Sequence, residues 1–336
     1  MRLRESSLNE VETGIPVLFD PFLYTTELPL RADLYPLGFA FEFSTNSQHV
    51  VQAATEGWGG FPRMFEAPPF EVRVAVANDD ESPCPSGFTL RAQRHLLAMI
   101  SDAQNFAVLD MAGRFAFCWI SSATARNQQW FRYFYIDTII HLMLWRSHLT
   151  RIHASCVARN RRGVLLCGDS GAGKSCLAYA CARRGWTFLS DEATSLVRGS
   201  GERIALGKPW QMHFRDTAVE VLPELNGRLA APNFVGKMTI EVQTAGLPGI
   251  ATGFRCRAEA VVFLNRDGSA PARLAPLPKE EGWRRLERDL PLFELPVHEE
   301  YKACLRHLLD AGVYELRYGD LDCAVAELES LLGEQT

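Results

Sequence analysis

The chain has no Cys-x-x-Cys pair, no Lys/Arg stripe, no internal repeat and no uncharged apolar run of membrane-spanning length. Each absence removes a class of protein. Its nine cysteines (Cys84, Cys118, Cys156, Cys167, Cys176, Cys181, Cys256, Cys304 and Cys323) are odd in number and lack zinc-site spacing. Neither a disulfide scaffold nor a structural zinc site is therefore expected. Several lie within apolar segments, as reduced thiols do when they serve as small core side chains, which predicts a cytoplasmic setting. Lys and Arg total 35 against 40 Asp and Glu, a net charge of -5. That balance is opposite to the basic excess of a nucleic-acid binder, so no nucleic-acid partner is expected. The most apolar stretch, Trp130 to Trp145, is interrupted by Arg132, Asp137 and His141 and reads as a buried helix, not a membrane span. The opening MRLRESSLNEVETGIPVLF has no apolar run of leader length before acidic residues intervene, so no secretory leader is expected.

What remains is an ordinary globular composition, 47% hydrophobic and 22% charged, over 336 residues. That length suits two domains. The first half, 1–149, reads as β-rich. Pro36–Ser44 and Phe70–Val76 alternate like half-buried strands, and Phe106–Asp110 and Arg114–Ile120 flank Met-Ala-Gly as a hairpin. The acidic, Pro-containing stretch Asn78–Gly87 reads as a loop, and a helix over 128–148 closes the region. From residue 150 to 336 strands and helices alternate. Arg151–Ala158 reads as one strand, Asn160–Gly163 as a turn and Val164–Cys167 as a short buried strand. A helix follows over Lys174–Arg184 and stops at Gly185, then a strand over Trp186–Asp191. Ala260–Leu264 and Val313–Arg317 are further strands, and Glu299–Ala311 and Leu321–Leu332 are helices.

Gly168-Asp169-Ser170-Gly171-Ala172-Gly173-Lys174-Ser175 fits G-x-x-x-x-G-K-[ST] in full, between an apolar strand and a helix. Glycines free backbone N–H groups to wrap phosphate oxygens, and the helix N-terminus adds a favourable dipole. Lys174 is expected to bridge the β- and γ-phosphates of ATP and the Ser175 hydroxyl to ligate Mg²⁺, with Cys176 completing the nucleotide-binding set. Asp191-Glu192 closes the next strand, seventeen positions after Lys174. That spacing brings it to the carboxyl edge of the sheet, where a phosphate loop holds its ligand. Asp191 is read as general base, itself able to bind the metal, and Glu192 as metal partner, with the exchanged assignment open. His153, in Arg-Ile-His-Ala-Ser, is a third candidate; beside apolar residues it reads equally as a core histidine.

With these features in place, the segment Arg151–Leu196 resembles the catalytic domain of the HPr kinase/phosphorylase family. Ile152-His153-Ala154, Gly163 to Ser175, Arg184-Gly185-Trp186 and Ser190-Asp191-Glu192 match it in order and spacing. A looser likeness to small bacterial relatives continues through Gly207-Lys-Pro209, Leu222–Leu225 and Phe234-Val-Gly-Lys237. The resemblance implies an α/β P-loop kinase domain of HPr kinase type, joined to a β-rich α+β N-terminal domain. It implies ATP and Mg²⁺ as cofactors, His153 lining the active site and Lys237 near the phosphates. The acceptor it implies is a hydroxyl, the Ser of a protein or peptide or that of a small molecule, and it leaves a homo-oligomer open. Two departures weaken HPr itself as substrate: the second acidic position is Glu192 where the family carries Asp, and the HPr-recognising loop is not found.

Three other readings stay open. A different small-molecule P-loop kinase shares the short spacing to Asp191. A nucleotide-binding regulatory or scaffold module would keep the loop with little turnover, the β-rich half then holding a peptide. A switch-type NTPase needs a longer strand ending in Asp, for which Ala260–Leu264 running into Asn265-Arg266-Asp267 is an imperfect candidate.

Overall fold

Strict apolar alternation builds the first of two units around a mixed sheet. The computed structural model describes residues 26–77, 82–233, 236–247, 249–268, 271–288, 290 and 298–333. The opening segment read for a leader, residues 78–81 of the expected loop, and Phe234 and Val235 lie outside the described residues. The units meet between residues 143 and 144, inside the helix Thr138–Ser147. No helix among the described residues is long and apolar enough to cross a membrane.

The first unit carries strands β1 (Leu30–Leu34), β2 (Phe41–Thr45), β3 (Phe70–Ala77), β4 (Thr89–Gln93), β5 (Leu96–Ile100), β6 (Phe106–Asp110) and β7 (Phe115–Ser121), ordered β1-β2-β3-β7-β6-β5-β4. In β3 the valines 72, 74 and 76 all turn inward, as period two requires. The expected β6–β7 hairpin is present, its turn tied by Asp110 Oδ1, which accepts from Ala112 N and Gly113 N. Two expectations are corrected. The strand over Pro36–Ser44 begins only at Phe41, because Leu37 takes a left-handed φ of 51° that ends extended pairing. The helix over 128–148 is not uniform: a π segment, Arg132–Asp137, separates Gln128–Phe131 from Thr138–Ser147. The wider turn presents Asp137 to Trp58 Nε1, which donates to its Oδ1 at 2.7 Å.

The second unit is built on a ten-stranded sheet. Its strands include β8 (Leu149–Ile152), β9 (Ala154–Arg159), β10 (Arg162–Cys167), β11 (Thr187–Ser190), β12 (Thr194–Val197) and β13 (Ile204–Leu206). A separate three-stranded sheet comprises β14 (Gln211–Phe214), β15 (Ala231–Pro232) and β16 (Met238–Gln243). The large sheet is completed by β17 (Ala251–Thr252), β18 (Arg255–Arg266), β19 (Arg273–Pro276) and β20 (Val313–Tyr318). β10 lies centrally, and both of its faces are covered. Val164 and Leu166 pack with the helices Lys174–Arg183 and Leu321–Gly333 and with β14 and β16. Leu165 and Cys167 pack with the helices Lys279–Glu287 and His298–Leu309. Burial on both faces is why the strand reads as an unbroken apolar run.

Topology then fixes the location of a site. β10 pairs antiparallel with β9, and β9 antiparallel with β11, so β10 and β11 point the same way. β18 runs parallel to β10, and β20 parallel to β18. The carboxyl ends of β10, β11, β18 and β20 and the start of β9 therefore share one sheet edge. One expectation is corrected here: Arg151–Ala158 is two strands, not one. β8 pairs with β12 while β9 pairs with β10 and β11, and His153 is the residue at the break. Leaving the strand lets its ring turn to the shared edge.

Candidate active site

The loop 168–173 leaves β10 with three glycines at positive φ: Gly168 at 152°, Gly171 at 96° and Gly173 at 91°. Side-chain-bearing residues resist these conformations, which open the backbone into a cradle. Gly173 has a second reason to lack a side chain. A Cβ there would stand 2.3 Å from Tyr318 Oη, which donates to Ala172 O at 3.0 Å and pins the loop from the end of β20. Lys174 opens the following helix and is buried. Its Nζ donates to Gly168 O at 2.6 Å and to Asp169 O at 3.2 Å, so its ammonium lies against the cradle.

Asp191 emerges one residue beyond β11 and is also buried. Its Oδ2 accepts from His213 N at 2.7 Å and its Oδ1 from Ser155 Oγ at 3.3 Å. Ser155 also donates to its backbone carbonyl. The Ser175 hydroxyl lies near the carboxylate and favours its charged form. Burial pushes the Asp191 carboxyl above its usual range, against the pull of Ser175 and of the His213 N–H and ring; neighbouring Glu192 adds to the rise. Glu192 itself is exposed at the cavity lip, and its backbone carbonyl accepts from His153 Nδ1 at 3.0 Å, which fixes that ring's tautomer.

These groups line one cavity of about 360 Å³, within the range of small-molecule sites. Of the residues singled out in the sequence, His153, Ser170, Gly171, Gly173, Lys174, Ser175, Cys176, Asp191, Glu192 and Lys237 line it. Gly168, Asp169 and Ala172 do not; they shape the loop from behind. The Lys237 backbone N–H donates to Asn233 Oδ1 and its carbonyl accepts from Asn233 N. Burial raises the Cys176 thiol to about 11, which keeps it protonated and weakly nucleophilic at neutral pH.

The cavity also holds residues that the sequence reading missed: His213, Arg215, Asp216, Thr217, Thr239 and Arg266. His213 sits on β14, its Nδ1 3.8 Å from Asp191 Oδ2 and its Nε2 4.0 Å from Glu241 Oε2 on β16. A signal was available in Gln-Met-His-Phe-Arg, where Met212 and Phe214 alternate inward and leave 213 and 215 facing outward. Nothing in the sequence announces that this strand crosses to Asp191.

The residues suit a nucleotide phosphate chain with a divalent cation. The cradle needs glycine where it has glycine, and Ser175 and Asp191 offer adjacent hard oxygens. Among the described residues no group of three or more His, Cys, Asp or Glu could hold a metal by itself. Mg²⁺ keeps several waters and phosphate oxygens, so two protein donors are enough for it.

No family model matches the sequence, and no curated protein matches it. Among solved structures, that of the Hpr(Ser) kinase/phosphatase from Coxiella burnetii covers 55% of this chain and 92% of its own length, at 13% identity and a TM-score of 0.31. A likeness this slight assigns neither fold nor activity.

Proposed function

We propose that the second unit is an ATP-dependent phosphotransferase that moves the γ-phosphoryl group to a hydroxyl, on the Ser of a protein or peptide or on a small molecule. The observation that carries this is the gathering of Lys174, Ser175 and the buried carboxylate of Asp191 in one cavity at the sheet edge. In the reaction the acceptor oxygen attacks the γ-phosphorus, the bond from that phosphorus to ADP breaks, and the acceptor proton passes to a carboxylate. Lys174 meets the β- and γ-phosphates once it exchanges its loop carbonyls for phosphate oxygens, a charge-assisted and stronger partnership. Mg²⁺, when bound, neutralises charge on the phosphate oxygens.

The geometry supports the exchanged assignment of the two acids. Asp191 has donors on both oxygens and lines the cavity together with Ser175, the metal-side hydroxyl. Glu192 stands exposed at the lip, where an acceptor enters, and is the better-placed base. His153 orders that lip through the Glu192 carbonyl, and Lys237 adds positive charge to the cavity lining. We assign acceptor recognition to the β-rich part, 1–149, and a cytoplasmic location to the chain.

The test is transfer from γ-labelled ATP with Mg²⁺, offering protein, peptide and free-serine acceptors, in wild type, Lys174→Ala and Asp191→Asn. Label that reaches an acceptor and vanishes in both variants supports the reading. Nucleotide binding without transfer to any acceptor or to water would overturn it and leave a nucleotide-controlled binding module.

A further inference from the structure

We propose that Arg215 is a charge-stabilising residue for the transferred phosphoryl group, supplied by this chain to its own phosphate loop; the inference rests on the phosphotransferase reading above. Arg215 follows β14 directly and is exposed. Its Nη2 donates to Ser170 Oγ at 2.7 Å, at the tip of the loop. A Cβ at Gly171 would lie 3.8 Å from the Arg215 Cζ and 3.9 Å from its Nη1, so the guanidinium spans the mouth of the cradle where no side chain intervenes. The loop thus carries a cation on each side: Lys174 beneath, against its carbonyls, and Arg215 above.

Two features separate Arg215 from an ordinary surface arginine. First, the guanidinium's one polar contact among the described residues is a neutral hydroxyl. A carboxylate would hold it; a serine gives it up readily to phosphoryl oxygens, which accept in a bidentate, charge-assisted manner. Second, its placement is set by the strand that also holds Asp191. Met212 and Phe214 are buried beneath β14, so His213 and Arg215 face the cavity together. The His213 N–H fixes the Asp191 carboxylate while Arg215, two residues on, covers the loop. One short strand therefore sets the separation between the metal-side acid and the cation.

During transfer, negative charge spreads over the three equatorial oxygens as the bond to ADP breaks and the acceptor oxygen closes in. Arg215 forms no covalent bond and moves no proton. It places a fixed positive charge against those oxygens, an interaction stronger in the transition state than with bound ATP or ADP.

The experiment measures turnover of γ-labelled ATP, to acceptor and to water, with ADP affinity measured separately. The proteins are wild type, Arg215→Ala and Arg215→Lys, each with and without millimolar guanidinium chloride. Arg215→Ala is expected to lower kcat by about 10³-fold, with ADP affinity within about threefold of wild type. Arg215→Lys recovers part of the loss, and free guanidinium recovers part in Arg215→Ala while leaving wild type unchanged. A residue that merely shaped the loop would lose ADP binding in step with turnover and show no chemical rescue; either result overturns the proposal. So does a kcat for Arg215→Ala within about threefold of an active wild type, which leaves the phosphotransferase reading intact. A wild type that binds ATP but transfers no phosphate to acceptor or water overturns both.

Discussion

Replacing Gly173 by alanine tests whether the loop is held as described, and two structural terms set the expected loss. The backbone there has φ 91° and ψ 15°, a left-handed conformation that costs an L-residue about 1–2 kcal/mol. The new Cβ would also stand 2.3 Å from the Tyr318 hydroxyl, well inside contact distance. Tyr318 is fully buried and cannot swing away, so the overlap and the strained Ala172 bond add about 2–3 kcal/mol. The total is about 3–5 kcal/mol for Gly173→Ala. Tyr318→Phe alone removes one hydrogen bond, about 1 kcal/mol.

The double variant separates the two terms. Without the hydroxyl, the nearest ring atom would be Cζ at 3.6 Å, an ordinary contact. Only the backbone strain and the lost bond then remain, about 2–3 kcal/mol in all. The double variant should therefore be more stable than Gly173→Ala alone, and better than additivity by about 2–3 kcal/mol. Thermal unfolding without nucleotide is the assay, with Gly173→Ala lowering the midpoint of the second unit by roughly 6–20 °C. A double variant no more stable than Gly173→Ala would refute the steric account and with it the role of Tyr318 as the pin of the loop.

Asp191 and Glu192 should separate by metal dependence: Asp191→Asn raises the Mg²⁺ concentration needed for turnover. Glu192→Gln lowers kcat by about 10²-fold at saturating Mg²⁺, and the opposite pattern in titrations of the two variants would restore Asp191 as base. Asp191→Asn should also stabilise the chain at neutral pH by about 1 kcal/mol, since it removes a buried charge. Because folding raises this carboxyl, its favourable contribution is present below the unfolded carboxyl's titration, near pH 4, and is lost as pH rises through the folded value. The melting advantage of the variant should accordingly shrink on acidification toward pH 4; an advantage constant with pH would contradict the burial argument. Gly207→Ala places a Cβ 2.1 Å from Leu189 O and 2.4 Å from Leu189 C, backbone atoms that cannot yield without moving β11. It should cost more than about 4 kcal/mol in thermal unfolding, while Gly201→Ala, with nothing within 4 Å, changes stability by less than about 0.5 kcal/mol.

Legibility in the sequence followed chain distance. Gly168–Ser175 and Asp191 could be read because one helix and one strand join them, and that connection dictates a shared sheet edge. β3, β20 and the helices Lys174–Arg183 and Leu321–Gly333 were visible because each buries a face of definite period. The β4–β5 hairpin was not read: β4 is mostly exposed, and Arg94 at its turn takes a left-handed φ of 56° that no glycine signals. The break at His153 was hidden as well, since β8 and β9 are both mostly buried and only their different partners divide them. His213 and Arg215 were illegible for a third reason. Their strand pairs with β16, on which His213 opposes Glu241, and that register follows from tertiary packing and not from local preference.

The residues found by sequence and those found only in the structure form two halves of one arrangement. The loop, Lys174, Ser175 and Asp191 come from the strand–helix–strand core of the large sheet, and under the proposed function they bind the phosphate chain. His213 and Arg215 come from the small sheet laid over that core. The small sheet contributes the donor that fixes Asp191 and the cation at the loop tip. On the proposed reading, binding and transfer depend on different layers. A change that loosens β14, such as Phe214→Ala beneath it, should spare ADP affinity more than turnover, because the buried ring seats His213 and Arg215 and packs on Tyr179, past the first turn of the helix that Lys174 opens.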